Sequence, residues 1–137
     1  MTMLDAVATY LVANTTLTVG GTAGTLAKAI MLDTQPDTIA VLYETGGTGS
    51  EYVFSTGATQ IVYEEPNLQL ISRSTTYSKA RAVAETVYTK LDGLSETVMS
   101  SVRYLDIEAI QAPFSIGRDE QERYLVSVNF RVKKEVG

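Results

Sequence analysis

Several groups of residues in this chain invite a chemical reading. Carboxylates cluster at Glu64-Glu65 and at Asp119-Glu120, with Glu122 close by. Paired carboxylates can transfer protons or bind a divalent cation. Nothing around them has the spacing of a calcium loop or a facial triad, so solvated loop charge is the reading they favour. The run Thr45-Gly46-Gly47-Thr48-Gly49-Ser50 suggests a phosphate loop, but such a loop needs a lysine after its last glycine. Here Glu51 follows instead and would repel a phosphate, which leaves a flexible loop after a strand. Arg73 and Arg123 stand at strand ends beside polar residues. A planar guanidinium there either clamps a carboxylate across a subunit interface or is an ordinary surface arginine, and the second reading is favoured.

The chain has no histidine and no cysteine. Ser–His and Cys–His catalysis are therefore excluded within it, as are disulfides, thiolate zinc sites and iron–sulfur clusters. Eight tyrosines and no tryptophan make it tyrosine-rich. Tyr77, Tyr88 and Tyr124 fall at core-facing positions. Tyr52 and Tyr63 lie in a segment of mixed signal, where they suit either a protein–protein contact or a local mini-core.

These side chains must be positioned by about one domain's worth of chain, since 137 residues can bury a real core. Hydrophobic residues make up 45% and charged residues 20%, ordinary for a globular protein. The net charge is −5, whereas a sequence-independent DNA binder carries a basic excess. The first 14 residues lack a basic n-region, and no apolar run reaches the roughly 20 residues of a membrane helix. Together these predict a soluble protein made and used in the cytoplasm.

The pattern predicts a first helix with Leu4, Val7, Ala8, Leu11 and Val12 on one stripe, opened by a Thr2–Asp5 capping box. Gly20, Gly21 and Gly24 form a link. Strands follow at Leu26 to Leu32 and around Ile39, Val41 and Tyr43, separated by the turn Gln35-Pro36-Asp37. Between about 46 and 66 the chain is either a long loop that orders against a partner or a small hairpin around Ser55-Thr56-Gly57-Ala58. A third strand covers Asn67 to Arg73. A second helix runs from about Thr76 to Leu91, burying Tyr77, Ala80, Ala84, Val87 and Leu91, with Gly93 as its cap. A strand over Val102 to Gln111 places Leu105, Ile107 and Ala109 on one face. The last strand alternates cleanly through Tyr124, Val126, Val128, Phe130 and Val132. Residues 113–120 between these two are too long for a tight turn and read as a loop. The fold class is α+β: a mainly antiparallel sheet of four to five strands with two helices on one face, in the order α-β-β-β-α-β-β, as a single domain over 1–137. The other face, with Gln69, Arg73, Asn129 and Arg131, meets solvent or a neighbouring subunit.

The run Asp37 to Gly47 (DTIAVLYETGG) followed by Glu65 to Arg73 (EPNLQLISR) resembles the signature of phage tail terminator proteins, often filed as minor capsid proteins. The helix from Tyr77-Ser78-Lys79-Ala80 to Leu91-Asp92-Gly93 is similar to that family's Y-x-x-A helix ending in L-x-G. Ile110-Gln111-Ala112-Pro113, Gly117-Arg118-Asp119, Arg123 and Val128-Asn129-Phe130 complete the likeness, which covers about Leu26 to Lys133. It implies two helices packed on a small sheet, and a hexameric ring. That ring would cap the tail tube at the head-proximal end of the virion tail, stop tube polymerisation and offer a docking surface to the head connector. Its partners would be further copies of itself, the tail tube protein and connector or neck proteins. DNA would only pass through the lumen, which the acidic charge suits. No cofactor and no bond chemistry are implied. Carried over by motif position, the expected subunit or tube contacts are Glu65, Asn67, Gln69, Arg73, Gln111, Phe114, Arg118, Asp119, Arg123 and Arg131, joined by Tyr52 and Phe54 from the ambiguous segment. Gly49 to Glu64 is longer than the family pattern suggests. It reads as an arm reaching a neighbouring subunit or the tube; unchanged assembly after deletion of residues 50–62 would sink that idea.

Three other readings compete. A head–tail joining protein of the neck would have similar size and ring form. A small carboxylate- and metal-dependent enzyme is disfavoured by the missing histidine and cysteine. A ligand-binding α/β module would show a deep apolar pocket.

Overall fold

The computed structural model describes residues 2–19, 25–55 and 58–135, with residues 48–55 and 58–62 described by backbone alone. Helix α1 spans Met3–Asn14 and is opened by the expected capping box: the Thr2 hydroxyl accepts from the Asp5 amide, and the Asp5 carboxylate accepts from the Thr2 amide. Its buried face is Met3, Leu4, Ala6, Val7, Ala8 and Leu11. Val12, expected in that stripe, is 41% exposed, because it lies at the stripe's edge once Met3 and Ala6 turn inward. Helix α2 spans Tyr77–Leu91, with Thr76 as N-cap and Gly93 at φ +82 just past its end. Its small inward residues, Ala80 and Ala84, let the helix lie close enough for the buried Ser72 hydroxyl to donate to the Ala80 carbonyl at 2.7 Å. Tyr77 is not core, as the stripe suggested. It is 41% exposed and meets Tyr124 edge-on, with ring centroids 6.4 Å apart.

Among the described residues seven strands form one sheet: β1 (Leu26–Lys28), β2 (Ile39–Ser55), β3 (Ala58–Ser74), β4 (Leu94–Met99), β5 (Val102–Ala109), β6 (Phe114–Arg118) and β7 (Tyr124–Glu135). The order is β1-β2-β3-β7-β5-β4, with β6 also on β7. Only β1 and β2 are parallel. The count exceeds the expected four to five for two reasons. β4 is a mostly exposed edge strand with little apolar signal. β6, read from sequence as loop, is exposed along its whole length and is held to β7 by its backbone. β1 is shorter than expected because Ala29 takes a left-handed φ of 65 and ends it. In β5 Ile107 and Ala109 face the core as expected, but Tyr104 takes the place of Leu105, since a register shift between Tyr104 and Asp106 changes which residues face inward.

Both helices pack on one face, against Ala40, Leu42, Leu68, Leu70, Val126, Val128, Phe130 and Val132. Residues 46–66, left open between loop and hairpin above, lie mostly in β2 and β3. Tyr52 stands opposite Ile61 and Ser55 opposite Ala58. The last β7 partner of β3 is Glu135, opposite Tyr63. From there to Ala58 the ladder runs on as two strands for about 17 Å at the usual rise per residue. Gly47 sits at a register shift near the root of this arm. A Cβ there would collide with the Glu65 carbonyl oxygen, so the position needs glycine for close approach rather than for a turn.

Candidate assembly surfaces

Arg73 alternates with Ser72, which faces α2, so Arg73 projects from the helix-free face of the sheet. It is nevertheless 1% exposed. Its guanidinium donates to four backbone carbonyls of the β1–β2 connection: Leu32 at 3.1 Å, Gln35 at 3.2 Å, Pro36 at 2.8 Å and Asp37 at 3.4 Å. Burial and the nearby Arg123 lower its pKa, though an arginine remains charged throughout. Arg123, also buried, donates to Asp119 at 2.8 Å, Asp33 at 2.8 Å, Asp37 at 3.2 Å and the Gln121 amide oxygen at 3.0 Å. Burial works against the Asp119 charge, but bonds from the Arg123 amide and guanidinium hold its carboxyl below the usual range. The two arginines lock the 32–37 segment over the end of the sheet. Arg73, Asp119 and Arg123, expected as subunit contacts, thus find hydrogen-bond partners within the chain. Neither arginine is the ordinary surface residue favoured above. Asp33, Asp37 and Asp119 do converge, but on a guanidinium, and among the described residues no cluster of acidic residues could hold a metal.

Next to Arg73 the helix-free face carries Ile39, Val41 and Ile71, the first two fully buried, and it turns polar farther toward the arm. Thr45, Asn67, Arg131 and Glu108 stand side by side across β2, β3, β7 and β5, with Arg131 donating to Glu108 at 2.8 Å on the surface. Tyr43, Gln69 and Asn129 form the next row, where Gln69 donates to the Ser127 hydroxyl at 3.3 Å. Three expected contact residues, Asn67, Gln69 and Arg131, are thus brought onto one face.

A second group lies along β6. Phe114 and Ile116 are 38% and 44% exposed, with Ile110 exposed beside them. Arg118, exposed, lies over the Tyr124 ring with its guanidinium carbon 5.5 Å from the centroid. Gln111 precedes this strand, and its side-chain oxygen is buried with no hydrogen-bond partner among the described residues.

At the opposite end of the sheet the arm leaves from a charged root. Lys133 lies over the Tyr63 ring at 5.4 Å, and Arg103 bridges Glu96 at 3.1 Å and Glu135 at 2.7 Å. The buried Lys134 sits 3.7 Å from Glu64. Burial, with the Glu64 and Glu44 carboxylates, pushes the Tyr104 hydroxyl up to about 12. Glu65 is half-buried here, and the side chains of Tyr52 and Phe54 lie outside the described residues. The sequence reading missed Asp33, Asp37 and Gln121 around Arg123, and Arg103 and Lys134 at the arm root. Asp33, Asp37 and Gln121 lie in the connections between strands and Arg103 and Lys134 near strand ends, positions with no periodicity to mark them.

The comparisons agree with this architecture. A solved chain from the "Virion of native gene transfer agent (GTA) particle" has a similar fold, with a TM-score of 0.63 and 13% identity, covering 98% of this chain and 95% of that one. A search of curated protein sequences gives no match. The family model described as bacteriophage tail terminator protein matches residues 11–136, spanning both the arm and the arginine-locked corner. The chain belongs to the bacteriophage tail terminator protein family.

Proposed function

We propose that this chain is a non-catalytic structural protein of the virion that assembles into a hexameric ring on the end of the phage tail tube. The ring ends tube polymerisation and presents the surface to which the head connector docks. It sits at the head-proximal end of the tail and is assembled in the host cytoplasm. Its partners are its own copies, the tail tube protein and the connector or neck proteins. DNA passes through the lumen without specific binding, in keeping with the net charge of −5.

The observation that carries this reading is the family match over 126 residues, 11 to 136 inclusive. The site chemistry is in keeping with it. The polar groups that converge most closely, around Arg73 and Arg123, bond to one another and brace the fold. What the surface offers instead is a polar patch around Asn67, Gln69 and Arg131, an exposed edge strand and a projecting two-stranded arm, all suited to binding. A heterologous contact between two such features closes into a ring when its rotation permits.

The test is electron microscopy of particles assembled without this gene. Overlong, headless tails are expected. Tails of normal length beside separate filled heads would move the protein to the neck as a joining factor.

A further inference from the structure

We infer that the β2–β3 arm of one copy adds its outer strand, β2, to the exposed β6 edge of the next, so that a shared antiparallel or parallel ladder joins neighbouring subunits. The inference rests on the proposed ring and names its contact.

Four observations lead there. Among the described residues, β2 has no strand on its outer side beyond Leu42, where β1 stops, and beyond Tyr63 no strand flanks β3 on its β7 side. A two-stranded ladder of this kind is marginal in water and gains from a third strand. β6 is the converse case: five residues paired on one side with β7 and on the other with nothing described. Its open edge faces no strand among the described residues, the Gly117 amide donating to the Ser115 hydroxyl, and it is flanked by the exposed Phe114 and Ile116, an arrangement that an added strand can use.

Length and position agree. The regular run of the arm in β2, Tyr52 to Ser55, is four residues, against five in β6. A register shift between Ser115 and Gly117 breaks the β6 ladder and restricts it to a short partner. The two features also lie at opposite ends of β7: the arm leaves beyond Glu135, while β6 pairs with residues 124–127. They therefore cannot meet within one chain. A donor at one end and an acceptor at the other make a head-to-tail contact between copies, the kind that generates rings.

The chain has no cysteine, so engineered thiols report the contact cleanly. Ser115→Cys in β6 would be combined in one chain with either Val53→Cys or Phe54→Cys; adjacent strand residues point to opposite faces, so one of the two shares the face of residue 115. A disulfide forms only when the Cβ atoms come within about 4.5 Å. Under mild oxidation, one of these double variants should lose most of its monomer band on a denaturing gel and give a ladder that stops at the ring size. A control pairing the same arm cysteine with Thr89→Cys on α2 should remain monomeric. Rings visible by electron microscopy with no cross-link in either double variant would overturn the strand contact while leaving the ring intact. Equal cross-linking in the Thr89 control would overturn it too, as random collision. If the unmodified chain forms no ring, alone or when added to tail tubes, the ring reading falls and this inference falls with it.

Discussion

The two ends of the sheet are built on opposite plans. At the β6–β7 end, Arg73 and Arg123 together donate to the backbone of Leu32, Gln35, Pro36 and Asp37 and to the side chains of Asp33, Asp37, Asp119 and Gln121. At the other end a two-stranded ladder leaves the domain with no flanking strand among the described residues. The first region finds its partners within one chain, whereas the second is where the proposed ring would supply a neighbour. The contrast separates a corner braced by its own hydrogen bonds from an arm held by a single ladder.

The largest expected effect is at the corner. Arg73→Ala leaves four carbonyls without their donor and should cost about 3 kcal/mol, read as a lowered urea midpoint. A loss under about 1 kcal/mol would show that water replaces the guanidinium and that the corner is not a lock. Acid should act on the same region. The Asp119 carboxyl is held below its unfolded value, so its contribution is present above about pH 4 and is lost as pH falls through the lower folded value. Asp119→Asn should flatten the fall of stability between neutral pH and pH 3. A wild-type slope in that variant would assign the acid sensitivity elsewhere. Tyr77→Ala removes the edge-on contact with Tyr124 and should cost about 1 kcal/mol.

The arm should give the smallest change in global stability. Gly47→Ala, at the close approach to Glu65, should leave the core's unfolding midpoint within roughly 0.5 kcal/mol of wild type. It should at the same time speed hydrogen exchange in residues 51–62. Deleting residues 50–62 should likewise spare the core and abolish ring assembly. A large loss of core stability in either variant would erase the distinction between the two ends.

Much of the fold is legible in the sequence where side chains alternate against one core. The Thr2–Asp5 box, the α2 stripe from Ala80 to Leu91, Gly93 and the Tyr124–Val132 alternation all read directly. β6 does not, because the alternation of Phe114 and Ile116 with Ser115 and Gly117 is only two apolar residues long and buries neither face, and its pairing lies in the backbone. The arm is obscured by Gly46, Gly47 and Gly49, which resemble a break; Gly47 instead lies in β2, where a bare backbone allows Glu65 to approach. Arg73 and Arg123 fall on what alternation marks as a wet face. Their burial depends on residues 32–37, which lie 36 or more positions earlier than Arg73 and cover that face only after the chain has folded back. The polar row of Asn67, Gln69 and Arg131 is visible as one face from spacing alone.

β7 is the sheet's keystone, and it comes last among the described strands. On one side it pairs with β3, some sixty positions earlier, and on the other with β5 and β6. Until residues 124–135 have emerged from the ribosome, the two halves of the sheet have no common strand, and the apolar faces of α1, α2 and β3 have no finished core to enter. Such late, non-local closure slows folding and leaves sticky edges exposed during synthesis. A chain that stops short of residue 124 therefore lacks the strand that ties β3 to β5 and β6, and cannot close its sheet.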